Sequence, residues 1–172
     1  MQWYAIFVEA KQEDNLQKFI QKTCAEDCIE TLVPKRKLIE RRQGKYYERI
    51  LTLFPGYVLV KTDMEGFEMY YKLKEMPGVI SILKDACYPV TVPEDEMEII
   101  LALTRYGEVI DFSDLYREGD KIKVRSGPLK GLEGIIYKYD HRKRRAKVIL
   151  NFLDKQKRVD LGANMIVKDF EK

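Results

Sequence analysis

The run Leu53-Phe54-Pro55-Gly56-Tyr57-Val58-Leu59-Val60 limits the fold more than any other stretch of the chain. Pro55-Gly56 opens a turn and cannot sit inside a strand, and the aromatic and branched residues after it suit a pleated, buried surface. Charged segments flank the run on both sides, so it is expected to form a central strand needing cover on both faces. Alternation groups Pro55, Tyr57 and Leu59 on one side and Gly56, Val58 and Val60 on the other. The small, branched set suits a helix-covered core. The Tyr57 and Leu59 set suits a partner helix laid into an apolar groove, although both sets could equally be core.

Before and after this strand, periodicity predicts a strand over residues 3–9 and a helix over 11–23, with Leu16, Phe19 and Ile20 as its apolar face. A short strand over 29–33 is stopped by Pro34, and residues 35–49 form a charged hairpin turning at Gln43-Gly44. Phe67, Tyr70, Tyr71 and Lys74 mark a second helix stopped by Pro77-Gly78, followed by a strand over 79–83. Glu94 and Asp95 suit the positive end of a third helix, whose stripe is Met97, Ile100, Leu101 and Thr104. The pattern predicts an α+β sandwich, an antiparallel sheet with helices, over residues 1–106. Residues 107–116 keep no period and are expected to be a linker. Five of the ten glycines then fall between Gly119 and Gly162. Short strands over 121–125, 132–139, 146–151, 157–161 and 165–167 predict a small β-barrel over residues 117–172.

Charge divides the chain similarly. Residues 115–172 carry 16 Lys/Arg against 8 Asp/Glu, a balance of +8, whereas residues 1–114 carry 15 against 20, a balance of −5. A basic half joined to an acidic half implies two domains with different partners, and the basic half suits a polyanion. Its densest point is Asp140-His141-Arg142-Lys143-Arg144-Arg145, expected as a loop between two strands. Lys121, Lys123, Arg125 and Lys130 add the same sign nearby in sequence, so the phosphates of a polyanion are the expected ligand; a solvated hairpin tip is the plain alternative. Tyr137 and Tyr139 would either stack on an unpaired base or pack within the barrel.

From Gly119 to Gly134, Ile122 and Val124 alternate with Lys121, Lys123 and Arg125 before a Ser126-Gly127-Pro128 turn. This run resembles the KOW motif. Together with Trp3-Tyr4, Phe54-Pro55-Gly56-Tyr57 and Met76-Pro77-Gly78-Val79, it makes nearly the whole chain resemble the NusG family of transcription elongation factors. The resemblance implies an NGN domain that grips the clamp helices of the largest RNA polymerase subunit through Phe7, Phe54, Pro55, Tyr57 and Leu59. It implies an SH3-like KOW barrel after it. The family's Phe-Gly-Arg-x-Thr type segment, used to reach Rho or a ribosomal protein, is replaced by Asn151-Phe152-Leu153-Asp154-Lys155-Gln156-Lys157. That departure, with the basic loop, resembles the specialised LoaP paralogs, antiterminators that read a hairpin in the nascent leader RNA. The implied partners are RNA polymerase, structured leader RNA through those basic residues of the barrel and, through Arg41, Arg42 and Lys45, upstream DNA or the opposite polymerase wall. Two rival readings are a general NusG factor coupling to Rho or the ribosome, and a ribosomal-type KOW protein binding RNA structurally.

No catalytic role is expected. The single histidine, His141, lies among like charges without a carboxylate or cysteine partner, and no glycine run ends in the Gly-Lys-Ser/Thr of a phosphate loop. Cys24, Cys28 and Cys87 fit neither a disulfide framework nor a zinc site, so no metal or cofactor is expected. No apolar run approaches the roughly 20 residues that span a bilayer, and the start lacks the pattern of a signal peptide. The expected protein is a cytoplasmic monomer that is not an enzyme.

Overall fold

The computed structural model describes residues 1–168. Strand β1 (Gln2–Val8) leads to α1 (Glu13–Thr23) and β2 (Glu30–Leu32). A long hairpin follows, β3 (Lys35–Arg42) and β4 (Lys45–Thr52), then β5 (Tyr57–Thr62), α2 (Glu68–Lys74) and β6 (Val79–Ile82). The short pair β7 (Lys84–Asp85) and β8 (Tyr88–Pro89) precedes α3 (Glu94–Leu103). After it come β9 (Val109–Ile110), β10 (Ser113–Glu118), β11 (Lys121–Ser126), β12 (Ile136–Asp140), β13 (Arg145–Phe152) and β14 (Lys155–Met165). The expected α+β class is what forms. Among the described residues no helix is long and apolar enough to cross a membrane. The chain divides into two compact units, one joining residues 1–33 to 54–97 and the other joining 34–53 to the chain from 98 onward.

The first unit is an antiparallel sheet in the order β2-β5-β1-β6. Tyr4, Ile6 and Val8 of β1 share a core with Val58 and Val60 of β5, and α1 and α2 close it with Leu16, Ile20, Tyr70 and Leu73. Phe19, expected on the apolar face of α1, is 41% exposed instead. Glu13 and Asp14 in the first turn of α1 and Lys22 in the last complement the helix dipole. Glu13 has a further role: its buried carboxylate accepts a 2.7 Å bond from the Gly56 N–H, tying the helix start to the turn that opens β5. Gly56 has φ +87°, and a Cβ there would lie 3.0 Å from the Phe7 ring, so this position requires glycine twice over.

In the second unit β3 and β4 pair without a break from Lys35↔Thr52 to Arg42↔Lys45. Gln43 and Gly44 both take positive φ, the type I′ pattern of a two-residue hairpin. Strand β9 runs parallel along the other side of β3. The larger sheet has the order β11-β10-β14-β13-β12, antiparallel except for the parallel β10–β14 pair.

Several local expectations change here. Residues 107–116 hold β9 and the start of β10, with Ile110, Ser113 and Leu115 buried; strands this short show no alternation to read. Residues 133–135 form a 3-10 turn, so the strand expected from 132 begins at Ile136. The strands expected over 157–161 and 165–167 become one, β14, because the chain continues extended through Gly162. That glycine has a packing reason. A Cβ on it would lie 2.6 Å from the Lys37 carbonyl oxygen and 2.8 Å from the Phe112 ring, so only bare backbone lets β3 lie against β14. Arg36 fastens the same contact by donating a 2.8 Å bond to the Asp160 carbonyl oxygen. Farther along, Arg105 donates to the carbonyls of Ala102, Gly127 and Pro128, holding the Ser126-Gly127-Pro128 turn to the end of α3.

Gly162→Ala is therefore expected to destabilise the second unit by about 1–3 kcal/mol, the usual cost of overpacking a close contact. A denaturant titration would show it as a lowered midpoint; an unchanged midpoint would mean that the two strands do not need this approach.

Candidate docking patch and nucleic-acid interface

The five residues expected at an apolar docking surface separate into two groups. Phe7 and Tyr57 form a cross-strand pair with ring centroids 5.3 Å apart at 45°, Phe7 being 38% exposed and Tyr57 half-buried. Pro55 is exposed beside them. Leu59 and Phe54, by contrast, are each 1% exposed and offer no surface to a partner. Alternation did place Tyr57 and Leu59 on one face, but the face is open only at one end. Leu59 pairs with Ala5 on one side and Leu32 on the other, and all three are buried. The open end is the Phe7–Tyr57–Pro55 patch, with the bare Gly56 backbone leaving room for the Phe7 ring.

The basic loop lies between β12 and β13, as its charge pattern suggested. Asp140 caps it by accepting a 3.0 Å bond from the Lys143 N–H, and this bond is the main cause of a carboxyl held below the usual carboxylate range. The four cations have different partners. Arg145 is mostly buried and pairs with Asp160 at 3.3 Å, where Lys147 also approaches at 3.8 Å. Arg144 donates to the Asn164 side-chain oxygen and stands over the Phe112 ring at 5.6 Å. Arg142 and Lys143 are exposed and form no salt bridge with any described residue. His141 is also exposed and meets Tyr139 edge-on at 4.7 Å.

This loop faces the β3–β4 hairpin across a cleft of about 620 Å³ within the second unit. One wall carries Ile39, Glu40, Arg41, Arg42 and Tyr46; the other is Arg142 to Arg145. Six cations against one carboxylate give a formal balance of +5 on the cleft walls. Clefts lined by one sign of charge concentrate field and draw in counter-charged ligands. The Arg41-Arg42 pair before the Gln43-Gly44 turn was visible in sequence as a charged hairpin tip. Nothing in sequence said that it would meet a loop so far downstream.

The other basic candidates are elsewhere. Lys121, Lys123 and Arg125 lie on β11, the opposite edge strand of the sheet order from β12, and do not line the cleft. Lys130 turns back to donate a 3.1 Å bond to the Val124 carbonyl. Tyr139 packs inside: its hydroxyl donates to the Ala163 carbonyl at 3.1 Å, and burial raises its pKa. Tyr137 remains 45% exposed, under the Arg158 guanidinium at 5.6 Å. The stretch Asn151 to Lys157 forms the β13–β14 hairpin, turning at Leu153 and Asp154, both at positive φ.

A family model described as transcription termination factor nusG matches residues 1–101. The transcription termination/antitermination protein NusG of Thermus thermophilus is 28% identical, with 98% of each chain aligned. The protein of the same name from Escherichia coli is 24% identical over 96% of this chain and 95% of its own. A solved structure described as domain interaction in Thermotoga maritima NusG aligns with a TM-score of 0.55 at 24% identity, covering 94% of this chain and 93% of that one. The likeness in fold therefore extends through both units.

Asp160 holds the loop side of the cleft in place. Asp160→Asn is expected to cost about 1–2 kcal/mol, a figure kept low because the pairs are partly exposed and screened. Thermal or denaturant unfolding would measure it, and the difference from the parent should shrink as salt is raised.

Proposed function

The chain belongs to the NusG family, and from that premise we propose that it is a transcription elongation and antitermination factor. In this reading the first unit binds the clamp helices of RNA polymerase and the basic second unit binds structured leader RNA. The observation that carries it is the presence of two chemically opposite surfaces on one chain: a partly exposed aromatic patch at Phe7 and Tyr57, and an exposed basic loop at residues 141–144. An amphipathic helix pair suits the first, since exposed aromatics on a rigid sheet give contact area at little entropic cost. RNA phosphate suits the second. Joined in one chain, the two surfaces work by linkage: RNA capture raises the effective concentration of a weak polymerase-binding module. No chemical step is assigned, and the protein acts in the cytoplasm on a growing transcript.

Within the family we place it with the specialised LoaP-type paralogs. The β13–β14 turn supports this, because Leu153-Asp154 stands where a Rho- or ribosome-contacting segment would carry its Gly-Arg pair. A general NusG factor is the second reading, favoured by relatives of that name that align along nearly the whole chain.

Transcription in vitro through a terminator, with and without a structured leader upstream, separates the two. Readthrough that depends on the leader supports the specialised reading; equal readthrough without it supports the general one. Phe7→Ala and Tyr57→Ala should each weaken retention by RNA polymerase at least about fivefold, the range of buried aromatic anchors. Retention at the parent level, with unfolding midpoints unchanged, would remove the aromatic patch from the polymerase interface.

A further inference from the structure

We propose that the cleft between the β3–β4 hairpin and the β12–β13 loop is one composite RNA site, whose two walls grip the backbone of the same strand while Tyr46 stacks on an unpaired base. The proposal rests on the RNA-binding reading above and deepens it. Half of the site comes from the hairpin of residues 35–52 rather than from the basic C-terminal half of the chain.

Both walls belong to one compact unit, and β3 is fixed to β14 by the Gly162 approach and the Arg36–Asp160 bond. The cleft is thus preformed, which lowers the ordering cost of binding. Its volume of about 620 Å³ is in the range of pockets that enclose small ligands, enough for nucleotides rather than for a whole duplex. Its cations are divided by task. Arg144 and Arg145 are held by Asn164 and Asp160, so they shape the wall. Arg142 and Lys143 form no salt bridge among the described residues, and on the facing wall Glu40 is shared between Arg42 at 3.5 Å and Arg49 at 3.0 Å. One carboxylate between two guanidiniums leaves positive charge on the hairpin as well as on the loop.

The aromatic group decides the ligand class. Tyr46 is 64% exposed, lines the same cleft, and has the Arg41 guanidinium 5.7 Å from its ring centre. An exposed tyrosine beside an arginine offers a face to a splayed base and a fork to its phosphate. An acidic peptide would satisfy the cations and leave that face unused. A blunt duplex would present phosphates but no unpaired base. The ligand that uses every group is an RNA hairpin with an unpaired loop or bulge.

The test uses the full chain and fluorescence anisotropy with an RNA hairpin, the blunt duplex of its stem, the DNA hairpin of the same sequence, and polyglutamate as competitor. Arg41→Gln with Arg42→Gln should weaken the looped RNA and reduce its log–log salt slope by about 1–2. Arg142→Gln with Lys143→Gln should do likewise, and all four together should lose less than the sum of the two pairs in log units if both walls hold one strand. Tyr46→Ala should weaken the looped RNA roughly five- to hundredfold and leave the blunt duplex unchanged. If only the loop pair lowers affinity, the site has one wall and the composite proposal falls while the RNA-binding reading stands. If the parent protein binds none of the RNAs in a salt-dependent way, both fall. Equal binding of the DNA hairpin, or displacement by polyglutamate as effective as by RNA at matched charge, would overturn the assignment to RNA.

Discussion

The second unit depends on a place where two strands touch without side chains between them. Gly162 on β14 brings bare backbone against the Lys37 carbonyl, and Arg36 then reaches the Asp160 carbonyl beside it. Hydrogen bonds to carbonyls and a close backbone approach are directional, so they fix the angle of the hairpin as well as its attachment. Asp160 works in both directions. Its backbone takes the arginine of β3, and its side chain takes Arg145 at the end of the basic loop, where β13 begins. One residue thus sets both walls of the cleft.

That arrangement also settles how a surface so rich in like charge stays folded. Burial disfavours the charged Arg36 guanidinium, and the nearby Asp160 carboxylate opposes that effect. Carboxylates are few there, but Asp160 pairs with Arg145, Glu40 lies between Arg42 and Arg49, and Asp140 accepts the Lys143 backbone N–H. The exposed cations are left to solvent, where repulsion is screened over about 8–10 Å at moderate salt.

Much of this was legible in the sequence, and the exceptions have physical causes. The Gln43-Gly44 hairpin, the division of β5 into inward Val58 and Val60, and the loop at Asp140 to Arg145 follow from local rules of turn chemistry and alternation. Leu59 defeated the same rule, because alternation reports which face a residue shares and not where along that face the cover stops. Gly162 looked like a strand break and is instead a contact, a distinction that only the neighbouring chain can make. The cleft was invisible for a similar reason: the Arg36–Asp160 bond joins residues 124 positions apart.

The discontinuity of the units has a consequence for how the protein is made. Everything the first unit needs has been synthesised by residue 97, so its sheet and two helices can close while the ribosome is still at work. The hairpin of residues 35–52 is looped out of that early-folding body, and its Arg36 waits for a carbonyl 124 positions later in the chain. Contacts so distant in sequence form late and slowly. Until β14 emerges, Arg36 has no Asp160 carbonyl to reach and β3 has no Gly162 to lie against, so the first unit can close before the second is complete.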